Sequence, residues 1–280
     1  MIDALQRLAD LSLVVFVVSS MLAMGMSQPL ADVLAPLRRP LPVVLALVVN
    51  FALSPLLALG LTWFIPLQPA HATGLLLLGA AAGAPFLPKL AELCGGSLAY
   101  SVALTMLLTG MSMVFMPLAL PLMVPGLHAD GWAIARPLLF LMLLPLGIGF
   151  ALARAGGAWL ERLHAFVRRL SNLALVLLVI LLVGLDLKIV LGTVGSFAIA
   201  TYALYLLALM GLAWLLGAAD ESTRNVFVLG AGCRNIAAAL VVAGTNLDDP
   251  HVTVMLVVAA IVSLVVLLVL VRVMRPGAST

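Results

Sequence analysis

The side chains able to do chemistry in this sequence are few, and they gather in two stretches. The first, GLLLLGAAAGAPFLPKLAELCGG from Gly74, places Gly79, Gly83, Pro85 and Pro88 ahead of Lys89 and Glu92. The second, VFVLGAGCRNIAAALVVAG from Val226, places Gly230 and Gly232 ahead of Arg234 and Asn235. Both are otherwise apolar. Proline removes a backbone donor and clashes with the preceding turn, so Pro85 and Pro88 just after a glycine predict a broken helix. A helix restarting after a break presents unpaired N–H groups and a positive dipole end. Such an end suits an anion, a carboxylate in particular. Pro85 or Pro88 fits the first turn of the new helix, where its missing donor costs nothing.

Arg234 and Lys89 carry the charge at these breaks. A charge at the centre of a membrane helix costs about 2.5–3.5 kcal/mol on insertion scales, so it faces the bundle interior and takes a partner there. Arg234, between Cys233 and Asn235, has no short path to a surface. Lys89 has Glu92 at helical ion-pair spacing, and two readings stand: a charge of the site, or a surface pair on the inner half of its span. Cys94 and Cys233 lack metal-ligand spacing, so neither a zinc site nor a disulfide framework is expected. No HExxH or GxSxG motif and no paired intramembrane carboxylates occur, which argues against an enzyme. Asp186, Asp248 and Asp249 fall at predicted span ends, and His71, His128, His251 and His164 in connections or at the interface. A repeated polar stripe or filter pattern is not seen either, which places a channel below a carrier.

The elements that must position these residues are membrane helices. Hydrophobic residues make up 65% of the 280 and charged residues 9%, with mean hydropathy +1.28, whereas soluble domains carry about 25% charged residues. Apolar runs of about 20 residues, enough to span the hydrocarbon core, predict about nine spans. They fall at residues 11–30, 41–66, 72–94, 98–124, 132–154, 167–187, 189–216, 226–243 and 252–271. The alternating ten-residue segments of a membrane β-barrel are not found. The amino-terminal run, with Asp3, Asp10 and one arginine, Arg7, lacks the positive start of a signal peptide and reads as a retained helix.

The formal charge of +3 is topogenic and calls for no nucleic-acid partner. Arg38, Arg39, Lys89, Arg154, Arg162, Arg168, Arg169, Arg224, Arg272 and Arg275 fall on one side of these spans, against Arg7, Arg136 and Lys188 on the other. By the positive-inside rule the N-terminus is outside and the C-terminus cytoplasmic. The connection GAWLERLHAFVRR, residues 157–169, reads either as an ordinary inner loop or as an interfacial helix. In the second case Trp159, Leu160, Leu163, Phe166 and Val167 form its apolar face. Paired interrupted spans in the two halves of a chain point to a transporter's binding site at the midplane.

The order of spans, the GAAAGAP break, the SLAYSVALT that follows and GCRNIAAAL together resemble the bile acid:sodium symporter family over nearly the whole chain. The resemblance implies an all-α membrane transporter of inverted repeats, one of four helices in 1–126 and one of five in 127–280, in a bacterial inner membrane. It further implies that the two broken helices cross in a core domain, with the first, fifth and sixth helices forming a panel. Substrate, a small organic anion, would meet Pro85, Phe86, Pro88, Lys89, Arg234, Asn235 and Ile236. Sodium-site positions carried over from the family fall at Asn50, Leu87, Pro88, Ser101, Thr105, Gly230, Ala231, Cys233 and Arg234. At several of these the oxygen chemistry is gone. The expected serine–asparagine pair falls at Leu87 and Pro88, the glutamate at Gly230 and the glutamine at Arg234. A site that loses its carboxylate and gains a guanidinium is not expected to hold sodium. Arg234, with or without Lys89, is expected to act as a tethered positive charge, and transport to be proton-coupled or facilitated.

Overall fold

The structure is a computed structural model that describes residues 2–27, 40–124, 131–185, 192–193, 195–217, 220–247 and 249–274. Among these residues every regular element is a helix: α1 (Ile2–Met26), α2 (Pro40–Phe64), α3 (Pro69–Ala80), α4 (Leu87–Leu93) and α5 (Leu98–Met123), followed by α6 (Gly131–Ala153), α7 (Ala158–Leu185), α8 (Ala198–Leu216), α9 (Glu221–Gly232), α10 (Ile236–Asn246) and α11 (Pro250–Val273). Seven of these, α1, α2, α5, α6, α7, α8 and α11, are long and apolar enough to cross a membrane. The other four have 12, 7, 12 and 11 residues, and at about 1.5 Å per residue none alone spans a hydrocarbon core about 30 Å thick. The chain is a polytopic α-helical integral membrane protein.

Two of the long helices widen locally, each for a proline. Val49–Leu53 in α2 and Leu139–Leu143 in α6 are single π-turns, followed by Pro55 and Pro145. The proline ring cannot accommodate the ordinary ladder bond. The chain bonds one residue further back instead, Ser54 N–H to Val49 O and Leu144 N–H to Leu139 O. The π-turn in α2 holds Asn50 buried.

Helix α1 packs along both α6 and α7. Its approach to α6 is backbone to backbone: a Cβ on Gly25 would stand 2.3 Å from Leu146 O, and one on Gly149 would stand 2.5 Å from Leu22 O. Small residues at helix crossings allow this close contact in a membrane, where burial of apolar surface gives little drive.

The structure departs from the sequence-based spans at several ends. The span at 72–94 divides into α3 and α4, and that at 226–243 into α9 and α10. Helix α9 starts earlier than expected because Asp220 caps it, accepting from Thr223 N–H at 2.9 Å. Residues 158–169 belong to α7, so the ordinary-loop reading does not hold. The proposed apolar face is also divided, since Leu160, Leu163 and Val167 pack inward with Ala23, Met26 and Leu152 while Trp159 and Phe166 stay exposed. His71 is buried on α3 rather than lying in a connection. His251 lies on the first turn of α11, its Nδ1 2.9 Å from Asp249 Oδ1. Arg38, Arg39, His128, Asp186, Lys188, Asp248 and Arg275 lie outside the described residues.

Candidate functional site

Both broken stretches leave the helix just after a glycine-rich turn, and they meet. Beyond α3 the chain is extended at Ala81 and takes φ +86° at Gly83; beyond α9 it makes two tight turns centred on Cys233 and Asn235, Arg234 N–H donating to Gly232 O and Ile236 N–H to Arg234 O, each at 3.0 Å. The two segments run antiparallel, Ala82 opposite Arg234. Asn235 N–H donates to Ala81 O at 3.0 Å, and Gly83 N–H to Cys233 O at 3.2 Å. Backbone freed from a helix at membrane depth must find partners inside the protein, and here each break supplies them for the other.

Helix α5 completes the pairing. Ser112 Oγ accepts from Ala82 N–H at 2.8 Å and donates to Ala82 O at 2.9 Å, while Thr109 Oγ1 donates to Gly83 O at 2.8 Å. A Cβ on Gly83 would stand 2.4 Å from Thr109 N. Glycine is required there twice over, for its positive φ and for the closeness of α5.

At the centre lies Arg234, 1% exposed and the largest of the fully buried side chains. Its Nε donates to Leu78 O at 2.9 Å, Nη2 to Gly79 O at 3.0 Å, and Nη1 to Asn50 Oδ1 at 2.9 Å and Ala231 O at 3.3 Å. Leu78 and Gly79 belong to the last turn of α3 and Ala231 to that of α9. Two helix C-termini therefore turn their last carbonyls and negative dipole ends on one point, and the guanidinium fills it. Every acceptor is a neutral oxygen. Ser54 Oγ donates to Gly79 O at 2.7 Å and lies 2.7 Å from Tyr205 Oη, tying α2, α3 and α8 to the same cage.

The other expected site residues divide into those at the crossover and those away from it. Lys89 is not in the cage: its side chain is 68% exposed and paired with Glu92 at 2.7 Å. Pro85 and Pro88 are half-buried and Phe86 is exposed, while Leu87 is buried at the start of α4. Ser101 and Thr105 are buried, but their hydroxyls donate to Leu98 O and Ser101 O of their own helix. At Gly230 a Cβ would stand 2.8 Å from Leu104 Cδ2 and 3.4 Å from Leu87 Cδ2, so leucine side chains wall that position. Cys233 is buried with a free thiol, as is Cys94, and Ile236 is half-buried. Asn235 is 1% exposed; its Oδ1 caps α10 by accepting from Ala238 N–H at 3.0 Å, and its Nδ2 has no partner.

Sodium fits this set poorly. A hard cation takes several oxygens, yet the oxygens of the crossover already accept from Arg234, and the Gly230 side is hydrocarbon. The residues that sequence reasoning passed over are Ser54, Thr109, Ser112 and Tyr205. A signal for two of them existed, because Ser101, Thr105, Thr109 and Ser112 recur at helical spacing and line one face of α5. Tyr205, stacked on Tyr202 whose Oη lies 2.8 Å from Ser263 Oγ, carries no such signal in a helix of mixed apolar residues.

The model of the Sodium Bile acid symporter family matches residues 14–193, a stretch that contains the first break and stops short of the second. No curated protein matches the chain.

Proposed function

The chain belongs to the Sodium Bile acid symporter family and is a transmembrane transporter, and on that premise we propose that it carries a small organic anion without sodium. Transport proceeds by alternating access, as expected where substrate binds at midplane breaks between domains that rock. The single observation that carries this reading is Arg234 held by Leu78 O, Gly79 O, Ala231 O and Asn50 Oδ1. Two helix ends that need a cation have one supplied covalently. The charge is part of the chain itself, so it is present through the whole cycle, whether substrate is bound or not.

The chain crosses the membrane nine times in this reading, α3 with α4 and α9 with α10 counting as one broken crossing each. The repeats are residues 1–126 and 127–280, with the N-terminus outside and the C-terminus cytoplasmic in a bacterial inner membrane. Helices α1, α6 and α7 act as the panel, supported by the packing of α1 along the other two. The broken helices act as the core. Lys89, exposed and already paired with Glu92, has no part in the charge at the crossover.

Uptake into proteoliposomes under imposed gradients tests the proposal. Equal initial rates are expected with a sodium gradient and with choline in its place. Strong sodium-driven accumulation by the unmodified protein would overturn it.

A further inference from the structure

The hydrogen-bond inventory of the crossover has a consequence for how transport is driven. Coupling requires a group that takes up the coupling ion in one state and gives it up in another. For a metal cation that group is a set of oxygens. Here Leu78 O, Gly79 O, Ala231 O and Asn50 Oδ1 are held by Arg234, Thr109 and Ser112 donate to Gly83 O and Ala82 O, and Ser54 donates to Gly79 O. Of the described buried side-chain atoms, Asn235 Nδ2 is the one at the crossover without a partner, and it is a donor. A spare N–H beside a permanent positive charge suits an anion and repels a cation.

For a proton the group must be a base near the cleft. Among the described residues, the titratable side chains around Arg234 are the phenols of Tyr202 and Tyr205 and the thiol of Cys233, all wholly buried. Phenols and thiols are neutral in their ordinary form and are not bases of the carboxylate or imidazole kind. The buried imidazole, His71, sits at the start of α3, about 11 Å along the helix axis from its last turn at about 1.5 Å per residue. Glu92 is at the surface with Lys89. Resting on the anion-carrier reading above, we propose that this protein is an uncoupled, electrogenic uniporter of small organic monoanions. Its fixed arginine stays with the protein, so each turnover moves the substrate's single negative charge alone. Across a membrane negative inside, such a carrier works as an exporter.

The size of the effect follows from one charge crossing the whole field. A potential of 100 mV sets an equilibrium ratio of about fifty-fold between the two sides. The test uses the full chain in liposomes and three labelled, poorly permeant monoanions: taurocholate, p-aminohippurate and gluconate. Counterflow, with unlabelled anion preloaded and choline as the only other cation, needs no driving force and identifies a carried probe. Potassium gradients with valinomycin then clamp the potential. The steady inside-to-outside ratio of that probe is expected to fall about fifty-fold for each 100 mV of inside-negative potential, regardless of protein orientation, and to be unmoved by sodium or pH gradients. A carried probe whose ratio ignores potential, or accumulates only with a sodium or pH gradient, overturns the uniporter inference and leaves the anion carrier standing. Failure of all three probes in counterflow overturns the anion-carrier reading and the inference with it.

Discussion

A side chain that donates to three carbonyls and an amide oxygen from three parts of the chain is both a charge and a clamp. Arg234 joins α2, α3 and α9 through Asn50, Leu78, Gly79 and Ala231, and removing it takes the donor from buried Asn50 Oδ1 and Ala231 O, while Leu78 O and Gly79 O keep Ala81 N–H and Ser54 Oγ. Each such loss costs about 1–3 kcal/mol. Arg234→Ala is therefore expected to lower the melting temperature in detergent and to cut transport more than tenfold, with partial recovery of both in millimolar free guanidinium. Lys89→Gln, which breaks only an exposed pair, is expected to change stability by less than about 1 kcal/mol. Thermal unfolding and counterflow of the two variants side by side check both. That Arg234 sits inside the membrane was legible in the sequence, since a lone arginine in an apolar run has nowhere else to go. Its partners were not, because three of them are backbone oxygens, two lying 155 and 156 residues away, and a carbonyl leaves no trace in residue type. For Lys89 the sequence left two readings, and the structure adds that its side chain is exposed and paired with Glu92.

The breaks themselves were legible in the elements, because proline and glycine state their backbone demands locally. What holds a break open is not local. Ala82 pairs with Arg234 and is bonded by Ser112, across distances in sequence that no spacing rule reaches. The register of this pairing depends on Gly83, whose positive φ and contact with α5 leave no room for a side chain. Gly83→Ala is expected to destabilise the protein by at least about 2 kcal/mol, through backbone strain of about 1–3 kcal/mol and displacement of α5. Gly110, where a Cβ meets nothing within 4 Å on the same helix that crowds Gly83, is the control: Gly110→Ala is expected to leave stability unchanged or slightly raised. Denaturation curves of the pair distinguish a requirement at the crossover from a general effect of losing a glycine. The amino-terminal end of α7 was the element least legible. Its residues read equally as an ordinary loop or as an interfacial helix, and only docking of Leu160, Leu163 and Val167 near the end of α1 shows why the helix runs on.

At the scale of the whole molecule, the family and the helical architecture could be read from the sequence because hydropathy and the first break survive in it, and the family match covers that part, residues 14–193. The feature on which the proposed function rests lies beyond the match, in the second break. There a cation is built into the protein at the point where two helix ends converge. The most direct test of that claim needs no substrate: thermal unfolding of the purified protein titrated with sodium against choline at constant ionic strength. A ligand that binds the native state raises its stability in proportion to RT ln(1 + [L]/Kd). The account predicts that the two titrations superimpose for the unmodified protein. A saturable rise in melting temperature specific to sodium would contradict it.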